Sequence, residues 1–147
     1  MGIVGPLVTP LTFQPLFLLV YLHIRILAFM PILTHNQLIG LFEGLSDETR
    51  VRILNILLYH KKPLVQRDVE KTLNITQSKV TRHYTYLKQR NVVQHQRHNQ
   101  YVYFSINPDL LPVIRYNLRA TDSKVLKDDI DRFEELKPDL YLNKPLK

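Results

Sequence analysis

Apolar residues recur at helical spacing along most of the chain after residue 35. Leu38, Phe42 and Leu45 stand at i, i+4 and i+7 and predict a short first helix with Gly44 near its end. Ser46 ahead of Asp47 and Glu48 reads as an N-cap followed by acids in a first turn, where the helix dipole favours them. A second helix carries Val51, Leu54, Leu57 and Leu58 on one face, runs to about His60 and is closed by Lys61-Lys62-Pro63. A third is predicted from Leu64 to about Leu73, with Val65, Val69 and Leu73 at spacing four. Asn74-Ile75 makes a short turn. Thr76 then caps a fourth helix with the inner face Val80, Tyr84 and Leu87, ending near Arg90-Asn91. Two helices joined by so short a turn form a helix-turn-helix.

The period then changes from helical to alternating. Val92 to Arg97 and Tyr101 to Ile106 read as two strands, the second with Val102, Phe104 and Ile106 on one face and Tyr101, Tyr103 and Ser105 on the other. His98-Asn99-Gln100 forms the tip, where Asn tolerates the left-handed backbone of a tight turn. Asn107-Pro108-Asp109 is a helix start, with a cap, Pro at the first position and an acid next. Leu111, Ile114, Leu118 and Val125 continue one face, and Leu126, Ile130 and Phe133 follow at i, i+4 and i+7. Thr121-Asp122-Ser123 either interrupts this stretch or lies within it. The fold class is therefore mainly α with a small β-hairpin: a winged helix-turn-helix at residues 34–107, followed at 108–147 by a C-terminal helical segment whose apolar stripe reads as a dimerisation surface.

Residues 1–33 differ from the rest, with one charged side chain, Arg25, and four prolines, Pro6, Pro10, Pro15 and Pro31. A spanning helix needs about 20 apolar residues. The candidate span at 13–32 has Pro15 and Pro31 near its ends and His23 and Arg25 near its middle, where an Arg costs roughly 2.5–3.5 kcal/mol. No Lys or Arg precedes the apolar stretch and no small-x-small site follows it, so it fits a secretory signal poorly. The reading preferred here is that Met30 is the native start. A packing helix comes second and a membrane anchor third.

Composition sharpens the functional question. The chain has 147 residues, 45% of them apolar, which suits one folded domain rather than a disordered chain. It has no cysteine, which excludes disulfides, Cys-based zinc sites and thiol catalysis. Its net charge is +7. Residues 61–102 carry nine basic side chains against Asp68 and Glu70, while the remainder holds as many acids as bases, so the whole excess lies in the helix-turn-helix and hairpin. Such a footprint fits a nucleic-acid partner. Residues 107–147 are charge-balanced and fit that role poorly.

Three segments in order resemble the ArsR/SmtB family of winged-helix transcriptional regulators, over about residues 38–106. Leu45-Ser46-Asp47-Glu48-Thr49-Arg50-Val51-Arg52-Ile53-Leu54 resembles the family's entry to its second helix. Thr76-Gln77-Ser78-Lys79-Val80-Thr81-Arg82-His83-Tyr84 resembles its recognition helix. Gln100-Tyr101-Val102-Tyr103-Phe104-Ser105-Ile106 resembles the return strand of its wing. The resemblance implies a cytoplasmic homodimer that binds double-stranded operator DNA and represses transcription until an effector releases it. The family's thiol pair would fall on Val65 and Arg67, and neither binds metal. Its other common site uses His and carboxylates on the C-terminal helix. Residues 107–147 hold no His, and Asp128, Asp129, Asp131, Glu134 and Glu135 lack a nitrogen partner suited to zinc or copper. No cofactor and no sensory metal are expected.

The exposed face of the fourth helix offers Gln77, Ser78, Lys79, Thr81, Arg82 and Thr85 to a major groove, which residues near a recognition helix N-terminus reach. Gln77 suits adenine, Lys79 and Arg82 suit guanine or phosphate, and Ser78 and Thr81 suit either a base or a phosphate. His83 either binds phosphate or packs beside the helix. Arg97, His98 and Asn99 at the wing tip reach a backbone or minor groove, or form an ordinary exposed turn. Tyr84 belongs to the core by its spacing. His95 and His98 are an odd step apart on one strand and face opposite ways, so they do not form a metal pair. Asp68 is expected in a structural hydrogen bond or cap. No catalytic motif links the Ser, His and Asp residues, and the four glycines form no phosphate loop, so the chain is not read as an enzyme. Two other readings are a winged-helix module that binds protein and a membrane-tethered regulator anchored through residues 13–32.

Overall fold

The computed structural model describes residues 18–21, 32–137 and 140. The chain divides into two units, 1–31 and 32–147. Of the first, residues 18–21 form one helical turn; the remainder of the 13–32 candidate span, apart from Ile32, lies outside the described residues. No helix among the described residues is long and apolar enough to cross a membrane.

In the second unit the order is α1 (His35–Leu45), α2 (Glu48–His60), β1 (Leu64–Val65), α3 (Gln66–Leu73), α4 (Gln77–Gln89), β2 (Val93–His98), β3 (Tyr101–Ile106), α5 (Leu111–Ala120) and α6 (Lys124–Leu136). The strands form one antiparallel sheet in the order β1-β3-β2. Val93 lies opposite Ile106 and His98 opposite Tyr101, and Leu64 lies opposite Phe104. Helix α2 is the hub, touching every other helix and β3. Its Ile53, Leu54, Ile56 and Leu57 are buried together with Val69, Val80, Leu87, Phe104 and Ile114.

Local chemistry explains most of the boundaries. Thr34 and Gln37 cap α1 reciprocally, the Gln37 N–H donating to Thr34 Oγ1 and the Thr34 N–H to Gln37 Oε1. The cap of α2 is Asp47 rather than Ser46: Asp47 Oδ1 accepts from the Arg50 N–H at 2.9 Å, while the Ser46 hydroxyl donates back to the Glu43 carbonyl at 2.8 Å and closes α1. Lys61 (φ 63°) ends α2 and Asn74 (φ 52°) ends α3, both in the left-handed region. Asn99 turns the wing at φ 53°. Thr76 stands at the N-cap of α4, but its hydroxyl meets Ser78 Oγ at 3.2 Å instead of a backbone N–H.

Several expectations are corrected. Leu64 and Val65 are not the first turn of α3; both are buried and pair with β3, so the helix begins at Gln66. Asn107-Pro108-Asp109 forms a turn in which the Asp109 N–H donates to Asn107 Oδ1, and α5 proper begins at Leu111, with Pro112 in its first turn. Thr121-Asp122-Ser123 does interrupt the C-terminal stretch, and Ser123 caps α6. The stripe expected to face another subunit lies largely inside this chain: Ile114, Leu118, Leu126 and Phe133 are buried, with Ile130 packed against the core, whereas Val125 is exposed. In α1 the buried face is Gly40, Leu41 and Gly44, leaving Leu38 and Phe42 exposed.

The glycines account for that last difference. A Cβ on Gly40 would lie 2.7 Å from the Arg90 carbonyl oxygen, and one on Gly44 would lie 3.1 Å from Val92 Cγ2. Helix α1 packs backbone-close against the junction of α4 and β2; at Gly40, facing the Arg90 carbonyl, only a residue without a side chain fits, and at Gly44 a methyl group would press on the Val92 and Leu87 side chains.

Candidate nucleic-acid interface

Helix α4 is held from below. Val80, Tyr84 and Leu87 are buried, and the Tyr84 ring stacks on Phe104 of the wing with centroids 3.8 Å apart. Burial pushes the Tyr84 phenol far up, with the charge of Asp68 adding to it, so this tyrosine is a neutral core residue. Asp68 is fully buried in the first turn of α3.

A side-chain bridge fixes α4 against α3. Gln66 Nε2 faces three acceptors, Glu70 Oε1 at 3.0 Å, the Gln77 carbonyl at 3.2 Å and Thr81 Oγ1, which share its two hydrogens. Thr81 in turn donates to the Gln77 carbonyl at 2.8 Å. Its hydroxyl hydrogen is therefore used within the protein, and its methyl and a lone pair remain for an outside partner. At the other end, the Arg50 guanidinium lies 4.3 Å and that of Arg90 5.2 Å from the Tyr86 ring centroid. Arg90 also pairs with Glu43 of α1, so its charge is partly offset.

His83 is the one candidate that the structure turns away from the outer face. It is 5% exposed, with Nδ1 3.5 Å from Asp47 Oδ1. Three residues after Val80 and four before Leu87, it lies on the inner side of α4, so the packing alternative holds and the phosphate alternative does not. Burial lowers its pKa. The Asp47 charge opposes that shift, while Arg82, Arg50 and Lys79 add to it. The carboxyl of Asp47 is pushed up by burial, but the Arg50 N–H bond and the charges of His83 and Arg50 outweigh this and leave it low.

Gln77, Ser78, Lys79, Thr81, Arg82 and Thr85 are all exposed on one side of α4. Arg97, His98 and Asn99 are exposed at the wing tip. Gln66, Asp47 and Arg50, which position this face, carried no signal of that role in the sequence; their partners lie on other elements. Among the described residues no group of three or more His or acidic side chains is arranged to hold a metal ion. Val65 and Arg67 sit at the β1–α3 junction.

A short-turn helix pair with a sheet-forming hairpin and a basic outer face defines a winged helix-turn-helix regulator. No family model matches the chain. It is 31% identical over 98 residues to the arsenic resistance transcriptional regulator ArsR2 of Pseudomonas putida, covering 65% of this chain and 84% of that protein. It is 31% identical over 72 residues to the transcriptional repressor SdpR of Bacillus subtilis, covering 49% and 78%. Among solved structures it is similar to HlyU of Vibrio cholerae, with TM-score 0.52 and 21% identity over 56% of this chain and 89% of that one. It is also similar to the homodimeric winged helix-turn-helix domain of Mb0332 from Mycobacterium bovis, with TM-score 0.51 and 16% identity over 55% and 74%. The chain belongs to the ArsR/SmtB family of winged-helix transcriptional regulators. It is a DNA-binding regulator of transcription and not an enzyme.

Proposed function

We propose that the protein is a homodimeric repressor that recognises a specific operator through the outer face of α4. The observation that carries this reading is the alignment of Gln77, Ser78, Lys79, Thr81 and Arg82, all exposed on one side of a helix locked from below by Tyr84, His83 and Gln66. Gln77 and Ser78 lie in the first turn, where a recognition helix meets base edges. Lys79 and Arg82 supply charge to guanine or phosphate. Arg97, His98 and Asn99 extend the contact to an adjacent backbone or minor groove.

The dimer is assigned to α1 and the outer side of α5. Leu38, Ile39 and Phe42 are 42%, 45% and 65% exposed, and Tyr116 is 74% exposed. Gln37 of α1 donates to Asp109 just before α5, which brings these elements together. A second copy of the chain is the occupant this apolar face fits, since two copies present two recognition helices to a two-fold-related site. The inducing signal is not a thiol-bound metal, because the chain has no cysteine. The protein acts in the cytoplasm.

Substitution tests the reading. Arg82→Ala is expected to weaken operator binding at least tenfold and lower its salt dependence. Gln77→Ala is expected to relax sequence preference. Operator binding unchanged in both variants would overturn the assignment of α4.

A further inference from the structure

The face of α2 away from the recognition helix carries two adjoining cavities. One, of about 550 Å³, lies between the C-terminal end of α2 and helices α5 and α6. The other, of about 190 Å³, lies between α2, the loop at 61–63, β3 and α5. They share Leu58 and Lys61 in their walls. Ile106 lines the smaller one, and it ends β3, at the opposite end of the hairpin from the wing tip. This is not the DNA-facing surface described above.

The chemistry of the walls is consistent along the pair. Lys61 and Arg119 line the larger cavity, and Lys61, Lys62 and Arg115 the smaller. Arg115 and Arg119 are one helical turn apart on α5 and share a face. None of these four cations has a carboxylate within ion-pair distance among the described residues, whereas Arg50, Arg52, Arg90, Lys127 and Lys137 all do. Glu134, the acid in the larger wall, is already matched: Lys137 Nζ lies 3.0 Å from both of its oxygens, and the Tyr59 hydroxyl bonds to it. Three helices also end here, each with roughly half a negative charge, which offsets part of this excess. Four unmatched cations exceed the combined half-charges of three helix ends. The larger cavity is otherwise walled by apolar surface from Leu58, Ile130 and the Tyr59 ring, which stands edge-on to Phe133. Its volume is in the range that small-ligand sites occupy.

We propose that this paired cavity is a binding site for a small amphipathic organic anion. Its acidic group lies among Lys61, Lys62, Arg115 and Arg119, and its apolar body lies against Leu58 and Ile130. The site is independent of the DNA-binding assignment, and it gives the regulator a place for a ligand that needs no metal.

The probe is 1-anilinonaphthalene-8-sulfonate, titrated by fluorescence into the full-length chain, with uncharged N-phenyl-1-naphthylamine as its partner lacking the sulfonate. The expected result is one sulfonate probe per chain, with affinity falling at least tenfold in the Arg115→Gln/Arg119→Gln variant, whose fold is checked by circular dichroism. The uncharged probe is expected to bind weakly and to be indifferent to that change. Because both arginines are exposed, the variant keeps the core intact, and Lys62→Gln provides a second test with a smaller loss in the same direction. Equal binding of the two probes, unchanged sulfonate affinity in both variants, or loss of binding in Phe42→Ser instead would overturn the proposal.

Discussion

Arg52 and Asp129 lie 77 positions apart and meet as a fork, Nε to Oδ2 at 2.8 Å and the terminal nitrogen to Oδ1 at 2.7 Å. Asp129 is buried and Arg52 is half-buried, so this pair fastens α6 onto the hub helix. Asn55 supports it, donating from Nδ2 to the Leu126 carbonyl at 3.1 Å. Removing one partner strands a buried charge, which costs about 3 kcal/mol or more. Asp129→Ala is expected to lower stability by about 3 kcal/mol in urea unfolding, the low end of that range because Arg52 still reaches water. Asp129→Leu combined with Arg52→Met is expected to recover much of the loss. A single variant as stable as the wild type would show that α6 is not anchored there.

The close approach of α1 makes a second prediction. Alanine is the better helix former by about 1 kcal/mol. Even so, Gly40→Ala is expected to destabilise the protein by about 1–3 kcal/mol, because its methyl group would meet the Arg90 carbonyl at 2.7 Å and backbone cannot step aside cheaply. Thermal unfolding checks it; a raised melting temperature would refute the contact.

That contact also marks where the sequence was least informative. Apolar spacing picks out Leu38, Phe42 and Leu45, and two glycines do not register as a packing face. Sequence reasoning treats apolar side chains as the only means of burial, whereas α1 buries its backbone. Leu64 and Val65 were lost for another reason. A strand of two residues exists only because Tyr103 and Phe104 are there to pair with it, and nothing local distinguishes it from a helix start. The C-terminal stripe was legible as apolar, but its partner was not: the same spacing serves a subunit interface or a fold-back onto α2. By contrast, the existence of α2, α4 and the hairpin follows from period and turn chemistry, with Lys61 at the left-handed position that ends α2 and Asn99 at the one that reverses the hairpin, whereas their caps do not: Asp47 takes the place of Ser46 on α2, and Thr76 makes no side-chain cap bond on α4. On α4 the exposed candidates followed from helical geometry, and His83 alone was ambiguous, because its position borders both faces.

His83 gives a pH prediction. Its pKa in the folded protein is lowered, with burial the main cause and Asp47 opposing, while in the unfolded chain it is about 6.5. His60 is lowered in the same way, by burial and then by Lys137 and Lys62. The unfolded chain therefore binds more protons in this range, so the stability these residues confer is present above about pH 6.5 and is lost as pH falls through that value toward their folded pKa values. Stability is expected to decline below about pH 6.5, and His83→Gln is expected to flatten part of the slope. Urea titrations from pH 7.5 to 5 check it; an unchanged slope in the variant would assign the effect elsewhere.

The exposed face of α1 predicts assembly. Phe42→Glu is expected to yield a monomer by light scattering while leaving circular dichroism unchanged, since Phe42 is 65% exposed. The same variant is expected to lose most of its operator affinity, because a single recognition helix forfeits the second half-site. A Phe42→Glu protein that remains dimeric would move the interface away from α1.

The most direct measurement is fluorescence anisotropy with the full-length chain, comparing the DNA upstream of its own gene with a scrambled duplex at 50 and 200 mM salt. A dimer touching about 6–10 phosphates is expected to lose roughly 10³–10⁵ in affinity between those salts, and to prefer the upstream fragment at both. Absence of binding at 50 mM salt, or binding that ignores both salt and sequence, would contradict a regulator that reads DNA through α4.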